Sequence, residues 1–178
     1  MAIRPILRMG NPTLRTPAAP YPTDEIAGEG FRSLIEDMRD SLAAAGGIGL
    51  AAPQIGVLSQ VVIIEIPAGP SRYGALSALG FTVMVNPRVT PLTEATQGYW
   101  EGCLSVPGLR GFVERPERVQ VDYISDQGKA LSTTFEGFPA TVVQHELDHL
   151  QGQLYIDLIS DRSKLSFEAE FEQFHQPA

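Results

Sequence analysis

The residues of this chain best suited to chemistry are His145-Glu146-Leu147-Asp148-His149, which have the form H-E-x-x-H. Each helical residue turns by about 100°, so four steps bring the second imidazole back onto the face of the first, and both can meet one metal ion. Glu146 then stands beside them, within reach of a proton on a water at that ion. Two of the chain's three histidines lie in this motif, and the third, His175, sits in a polar tail.

A hydrolytic site of this kind takes a third protein ligand and leaves one position open. Downstream, Asp157, Asp161, Glu168 and His175 could supply it. Upstream stands Cys103, the one cysteine of 178 residues, in Trp100-Glu101-Gly102-Cys103-Leu104-Ser105-Val106-Pro107. A thiolate binds iron(II), zinc, nickel or cobalt well. A lone cysteine is more often a small buried hydrophobe, so its presence alone does not choose between the two. A third segment, Gly47-Ile48-Gly49-Leu50-Ala51-Ala52-Pro53-Gln54-Ile55-Gly56, is crowded with small residues that let backbone approach closely. Its Gln54 carries an amide that could donate to a developing oxyanion. Taken alone, the segment reads more simply as a Gly-rich turn after a helix. It is not a phosphate loop, because it lacks G-x-x-x-x-G-K and does not open a helix after a strand.

Together the three segments resemble the peptide deformylases, a family marked in order by G-x-G-Φ-A-A-x-Q, E-G-C-L-S and Q-H-E-x-D-H on a helix. The matching stretches are Gly47 to Gln54, Glu101 to Ser105 and Gln144 to His149. Ile6 to Arg15, Asn86-Pro87 and Gly111 to Pro116 resemble the family's flanking segments, so the resemblance covers most of residues 4 to 158. The family often has an arginine shortly before its Gln-His-Glu; Ala140 to Val143 stand there in this chain, and no ligand is lost.

The resemblance implies a hydrolase that removes the N-formyl group from the formyl-methionine of newly made proteins and releases formate. It implies that Cys103, His145 and His149 bind one divalent ion, natively iron(II), with zinc, nickel or cobalt compatible with the same donors. Glu146 becomes the general base. The Gln54 amide and the Leu104 backbone N–H become the oxyanion donors. Ile48 is expected to line the methionine pocket, and Gly49 to form a tight wall that admits formyl alone. Val142 joins them by spacing, one helical turn before His145. The nascent N-formyl-methionyl peptide should run beside Ile48 and Gly49 like an added strand. Asp148 points away from His149 and is expected to pair with Arg115 or Arg110. Two rivals make different demands: an ordinary zinc peptidase needs a downstream ligand and neither Cys103 nor Gln54, whereas a non-catalytic metal domain needs no Glu146.

The elements that must hold these residues are legible in pattern. Phe31, Leu34, Ile35, Met38 and Leu42 recur at helical spacing, with Thr23 or Asp24 as cap and Gly46-Gly47 as stop. Arg32, Glu36, Asp37 and Arg39 are expected on its wet face. Val61 to Ile66 reads as a buried strand, Pro67 to Gly80 as a loop, and Phe81 to Asn86 as a strand. Arg118 to Tyr123 alternates, Asp126-Gln127-Gly128 turns, and Leu131 to Phe135 returns. Pro139 suits the first turn of the motif helix and Gly152 its end. Phe167, Phe171 and Phe174 mark a C-terminal amphipathic helix whose rings are expected in the core. The sum is an α+β fold, with short antiparallel sheets packed around a central metal-binding helix and further helices at the N- and C-terminal ends, in a single catalytic domain over 1–178.

Bulk properties narrow the rest. Hydrophobic content of 43% with 19% charge is ordinary for a globular protein. A net charge of −8 argues against direct nucleic-acid binding. Some members of the family that this chain resembles dock on the ribosome through a basic C-terminal helix; Glu168, Glu170 and Glu172 stand there in this chain, so at most a weak ribosome association is expected. A single cysteine excludes an internal disulfide and suits a reducing, bacterial-type cytoplasm or an organelle of bacterial origin. No apolar run is long enough for a membrane span.

Overall fold

β-Branched residues run almost unbroken through Val61-Val62-Ile63-Ile64-Glu65-Ile66. In the computed structural model of the protein, which describes residues 3–71, 74–76 and 78–176, they form a central strand. The pleat sends successive side chains to opposite faces. Val62, Ile64 and Ile66 enter one core cluster with Val142, Val143, Leu147 and Leu150. Val61 and Ile63 enter another with Phe31, Met38 and Leu42. A strand buried on both faces has no use for polar alternation, which accounts for its composition. Each such side chain contributes about 1.5–3 kcal/mol by leaving water.

In chain order the elements are α1 (Glu29–Ala45), β1 (Gly49–Ala51), β2 (Val61–Ile66), β3 (Gly69–Ser71), β4 (Gly74–Leu76), β5 (Leu79–Pro91), β6 (Thr96–Cys103), β7 (Val106–Pro116), β8 (Arg118–Ile124), β9 (Ala130–Glu136), α2 (Phe138–Leu150), β10 (Leu165–Phe167) and α3 (Glu168–Phe174). Five strands form an antiparallel sheet in the order β1-β2-β5-β8-β9, and three form a second in the order β10-β7-β6. The first sheet is packed between α1 and α2. The α+β fold and its short antiparallel sheets are as the sequence implied.

Four local expectations need correction. The cap of α1 is Gly28, with no side-chain bond, while Thr23–Glu25 form a separate 3₁₀ turn. Buried Ile26 must tuck into the core between that turn and the helix. Asp37 is not on a wet face: it is buried and accepts from Arg4 Nε at 2.9 Å, because the N-terminal arm folds over α1. The span from Pro67 to Gly80 is not a plain loop, since β3 and β4 pair within it; Arg72, Tyr73 and Ser77 lie outside the described residues. The C-terminal phenylalanines do not all pack inward. Phe171 is buried against Trp100, but Phe167 and Phe174 are 68% and 67% exposed. Phe167 belongs to β10 rather than to the helix, and α3, only 7 residues long, presents one ring to the indole.

Candidate active site

The site forms where α2 passes the end of β6. Gly137 takes a left-handed φ of 66° and turns the chain out of β9, and Pro139 follows in the first helical turn. The helix is buried on nearly every side, which is why Val142, Val143, Leu147 and Leu150 surround the motif. His145, Glu146 and His149 are buried with it.

Cys103 closes β6 just past a register shift against β7 between Glu101 and Cys103. Its Sγ lies 3.3 Å from His149 Nε2. The donor atoms of Cys103, His145 and His149 all fall within 4.8 Å of one another, close enough for one cation to touch all three. None of the downstream candidates joins them. Asp157 pairs with Arg15, Asp161 caps its own turn, Glu168 pairs with Arg110, and His175 stacks on Trp100.

Behind the donors lies a buried charge network. His145 Nδ1 donates to Glu101 Oε2 at 2.7 Å, which leaves Nε2 for the cluster. Arg115 grips the same carboxylate with two bonds, Nε to Oε1 at 2.5 Å and Nη2 to Oε2 at 3.0 Å, and donates from Nη1 to Asp148 Oδ2 at 2.8 Å. Burial alone would raise the Glu101 pKa, but bonds from His145 and Arg115 outweigh it and hold the carboxylate below its ordinary value. Burial would likewise depress His145, yet Cys103 and Glu101 hold its proton on to well above the usual range. His149 goes the other way, lowered by burial and then by the His145 and Arg115 charges. The Asp148–Arg115 pairing expected from sequence is thus present. The anchoring of His145 by Glu101, which sequence did not reveal, is the larger feature.

Among the described residues, Glu146 Oε2 and His149 Nδ1 at this cluster are buried without partners, as is Tyr155 Oη on the ring stacked against His145. Buried polar atoms without partners are rare, and beside a clustered thiol and two imidazoles they fit a site built for a cation and a water. Burial, the main cause, pushes the Glu146 carboxyl up to about 7. Such a group takes and returns protons near neutrality.

The first motif closes the other wall. Gln54 is buried and its Oε1 accepts from the Ala51 N–H at 2.8 Å. That bond aims Nε2 at Ser105 Oγ, 3.1 Å away, and at Cys103 Sγ, 3.6 Å away. Gly49 faces Glu146 so closely that a Cβ would sit 2.4 Å from Oε1. Gly49→Ala is therefore expected to push the carboxylate aside. Misplacement by about 1 Å can cost roughly 10²-fold in rate. A kcat loss of that order with wild-type metal content is the expected result, and unchanged kcat would contradict it. A cavity of about 520 Å³ opens beside these groups, lined by Ile48, Gly49, Gln54, Cys103, Leu104, Val142, His145 and Glu146. The geometry thus brings together the residues singled out in sequence.

A family model described as polypeptide deformylase matches residues 3–165. The chain is 39% identical over 172 residues to a peptide deformylase of Leptospira biflexa, covering 97% of this chain and 96% of that one. It is 47% identical over 168 residues to peptide deformylase 2 of Ralstonia nicotianae, covering 93% and 92%. Among solved structures, a class I type b peptide deformylase from Acinetobacter baumannii with Met-Ala-Ser bound superposes with a TM-score of 0.84 at 37% identity, over 89% of this chain and 99% of that one.

Proposed function

This chain belongs to the peptide deformylase family, hydrolases that remove the formyl group from an N-terminal methionine, and from that premise we propose that Cys103, His145 and His149 hold one divalent ion while Glu146 serves as general base. The observation that carries this reading is the convergence of one sulfur and two imidazoles within 4.8 Å beside a buried carboxyl. When bound, the ion supplies Lewis acidity and brings the pKa of a neighbouring water toward neutrality.

The chain's own groups do the rest. Glu146 takes the proton of the attacking water and hands it to the leaving amine. As the formyl carbon becomes tetrahedral, charge grows on its oxygen. Gln54 Nε2, held in place through its other end, donates to that oxygen together with the Leu104 N–H. Gly49 leaves room for hydrogen on the acyl carbon and little more. Ile48 and Val142 offer apolar surface to the methionine side chain. Glu101 and Arg115 keep the His145 ring at a fixed angle.

Iron(II) is proposed as the native ion, and N-formyl-methionyl nascent peptides as substrates. The Met-Ala-Ser complex of the Acinetobacter relative supports a peptide of that kind in the groove. No described helix is long and apolar enough to cross a membrane, and the net charge of −8 disfavours binding to nucleic acid. We place the enzyme, as a single catalytic domain, in a bacterial-type cytoplasm with at most weak ribosome association.

The test joins activity to metal content. Protein purified without oxygen is expected to carry about one iron per chain, and to release formate from a formyl-Met peptide but no acetate from its acetyl-Met counterpart. Cys103→Ser should lower metal affinity by more than the roughly 10–100-fold that an outer partner contributes, and activity should fall with it. Full metal and full activity in that variant would overturn the ligand assignment.

A further inference from the structure

The cavity carries a charge pair that the reaction does not use. Arg110 in β7 lies opposite Ser166 of β10, so the C-terminal strand brings Glu168 to the cavity wall beside it. The guanidinium presses its Nη1 end against the backbone just before the cysteine: a Cβ on Gly102 would land 1.3 Å from Arg110 Nη1. Nη2 pairs with Glu168 Oε1. Arg110 Nε is buried without a partner, so the fork of donors is only partly engaged. Arg110 is the one arginine or lysine among the described cavity-lining residues, and Glu168 is more exposed than it, 38% against 14% at the side chain. The other carboxylates of the cavity are committed elsewhere: Glu101 to Arg115 and His145, Glu146 against Gly49.

Resting on the reading of this cavity as the peptide site, we propose that Glu168 is a built-in counter-anion for Arg110, and that the pair sets the charge preference for the residues that follow the methionine. A peptide extending from the reacting carbon beyond the methionine pocket leaves through the same cavity. An acidic side chain there must displace Glu168 to reach the guanidinium, whereas a basic one meets a neutralised pair. With Glu168 in place, the enzyme accepts nascent chains of either charge. Without it, Arg110 selects acidic ones.

The experiment compares formyl-Met-Ala-Asp-amide with formyl-Met-Ala-Lys-amide, and the corresponding pair with the charge at the second residue. In the wild type, the kcat/KM ratio of acidic to basic peptide should lie near unity. In Glu168→Gln it should rise about tenfold at one of the two positions, the low end of what a hydrogen bond to a charged group is worth. The rise should fade in added salt, as a loosened C-terminal segment alone would not make it do. Adding Arg110→Gln should bring the ratio back. A ratio that stays unmoved by Glu168→Gln at both positions, while the wild type still releases formate, overturns this inference alone. No formate from any of the peptides would take down the reading of the cavity and this inference with it.

Discussion

Glu146→Gln is expected to keep its metal, to lose deformylation by about 10³-fold, within the range a general base contributes, and to be more stable than the wild type when both are metal-free at about pH 8. The first two results follow from its proposed role. The third follows from burial. Desolvation is the main cause that lifts this carboxyl from its ordinary 4.5 to about 7; His145 pulls it down, Glu101 and Asp148 push it up, and Arg115 opposes them. A folded-state pKa above the unfolded one contributes stability that is fully present below the unfolded value. That contribution is lost as pH rises through the folded value. Near pH 8 the metal-free wild type must therefore hold a buried carboxylate whose Oε2 has no partner. With about 1.4 kcal/mol per pKa unit, the penalty is somewhat over 3 kcal/mol. Glutamine has no charge to bury, although its amide still meets the unpartnered position, so the gain is smaller than that figure. Melts of chelator-treated protein across the pH range read it: the two curves should converge below about pH 5, draw apart between about 5 and 7, and stay apart above that. Parallel curves would mean that burial is not what perturbs Glu146. A bound dication pulls the carboxyl the other way, so the comparison is made without metal.

How far the site was legible depends on how far apart its parts lie in the chain. The H-E-x-x-H pair could be read directly, because helical geometry turns a spacing of four into a shared face. The sulfur could not: Cys103 meets His149 across 46 positions, and only the resemblance of three segments joined them. Glu101 stands in the E-G-C-L-S motif, yet its bond to His145 forms just before the register shift that ends β6, which no local pattern announces. Gly49 is expected from the resemblance as a tight wall beside the acyl group; that it also leaves room for Glu146 appears only once the carboxylate is seen against it. The same limit explains the misreadings. Helical position made Asp37 look wet, but Arg4 reaches it from 33 residues away. The phenylalanine spacing marked a C-terminal helix correctly, but periodicity does not say what faces it, and only Phe171 found a neighbour to cover it. By contrast, Val61 to Ile66 was legible as a buried strand, because being enclosed on both faces leaves its mark on composition.

Arg115→Leu should be the most destabilising single change near the site. The guanidinium is 5% exposed and is shared by Glu101, equally buried, and by Asp148. Removing it leaves two neighbouring carboxylates without their cation in a poorly solvated place, a loss of about 3–5 kcal/mol. Lysine should not rescue it, since a point charge cannot reproduce the two-bond grip on Glu101. Denaturant melts should show the loss, with Arg15→Ala as the reference. The Arg15–Asp157 pair is considerably exposed, and its removal should cost no more than about 1 kcal/mol. Metal affinity should fall in step by roughly 10–100-fold, because Glu101 then no longer fixes the His145 ring. The two effects can be separated. Replacing Arg115, Glu101 and Asp148 together by apolar residues of similar volume should restore much of the stability, since no unpaired charge remains. It should leave the metal site weak, since His145 has lost the acceptor for its Nδ1 proton. If the triple variant regained full metal affinity along with stability, the network would serve the fold alone, and the orientation of His145 would have to come from its packing against Tyr155, whose ring lies 5.9 Å away and nearly parallel.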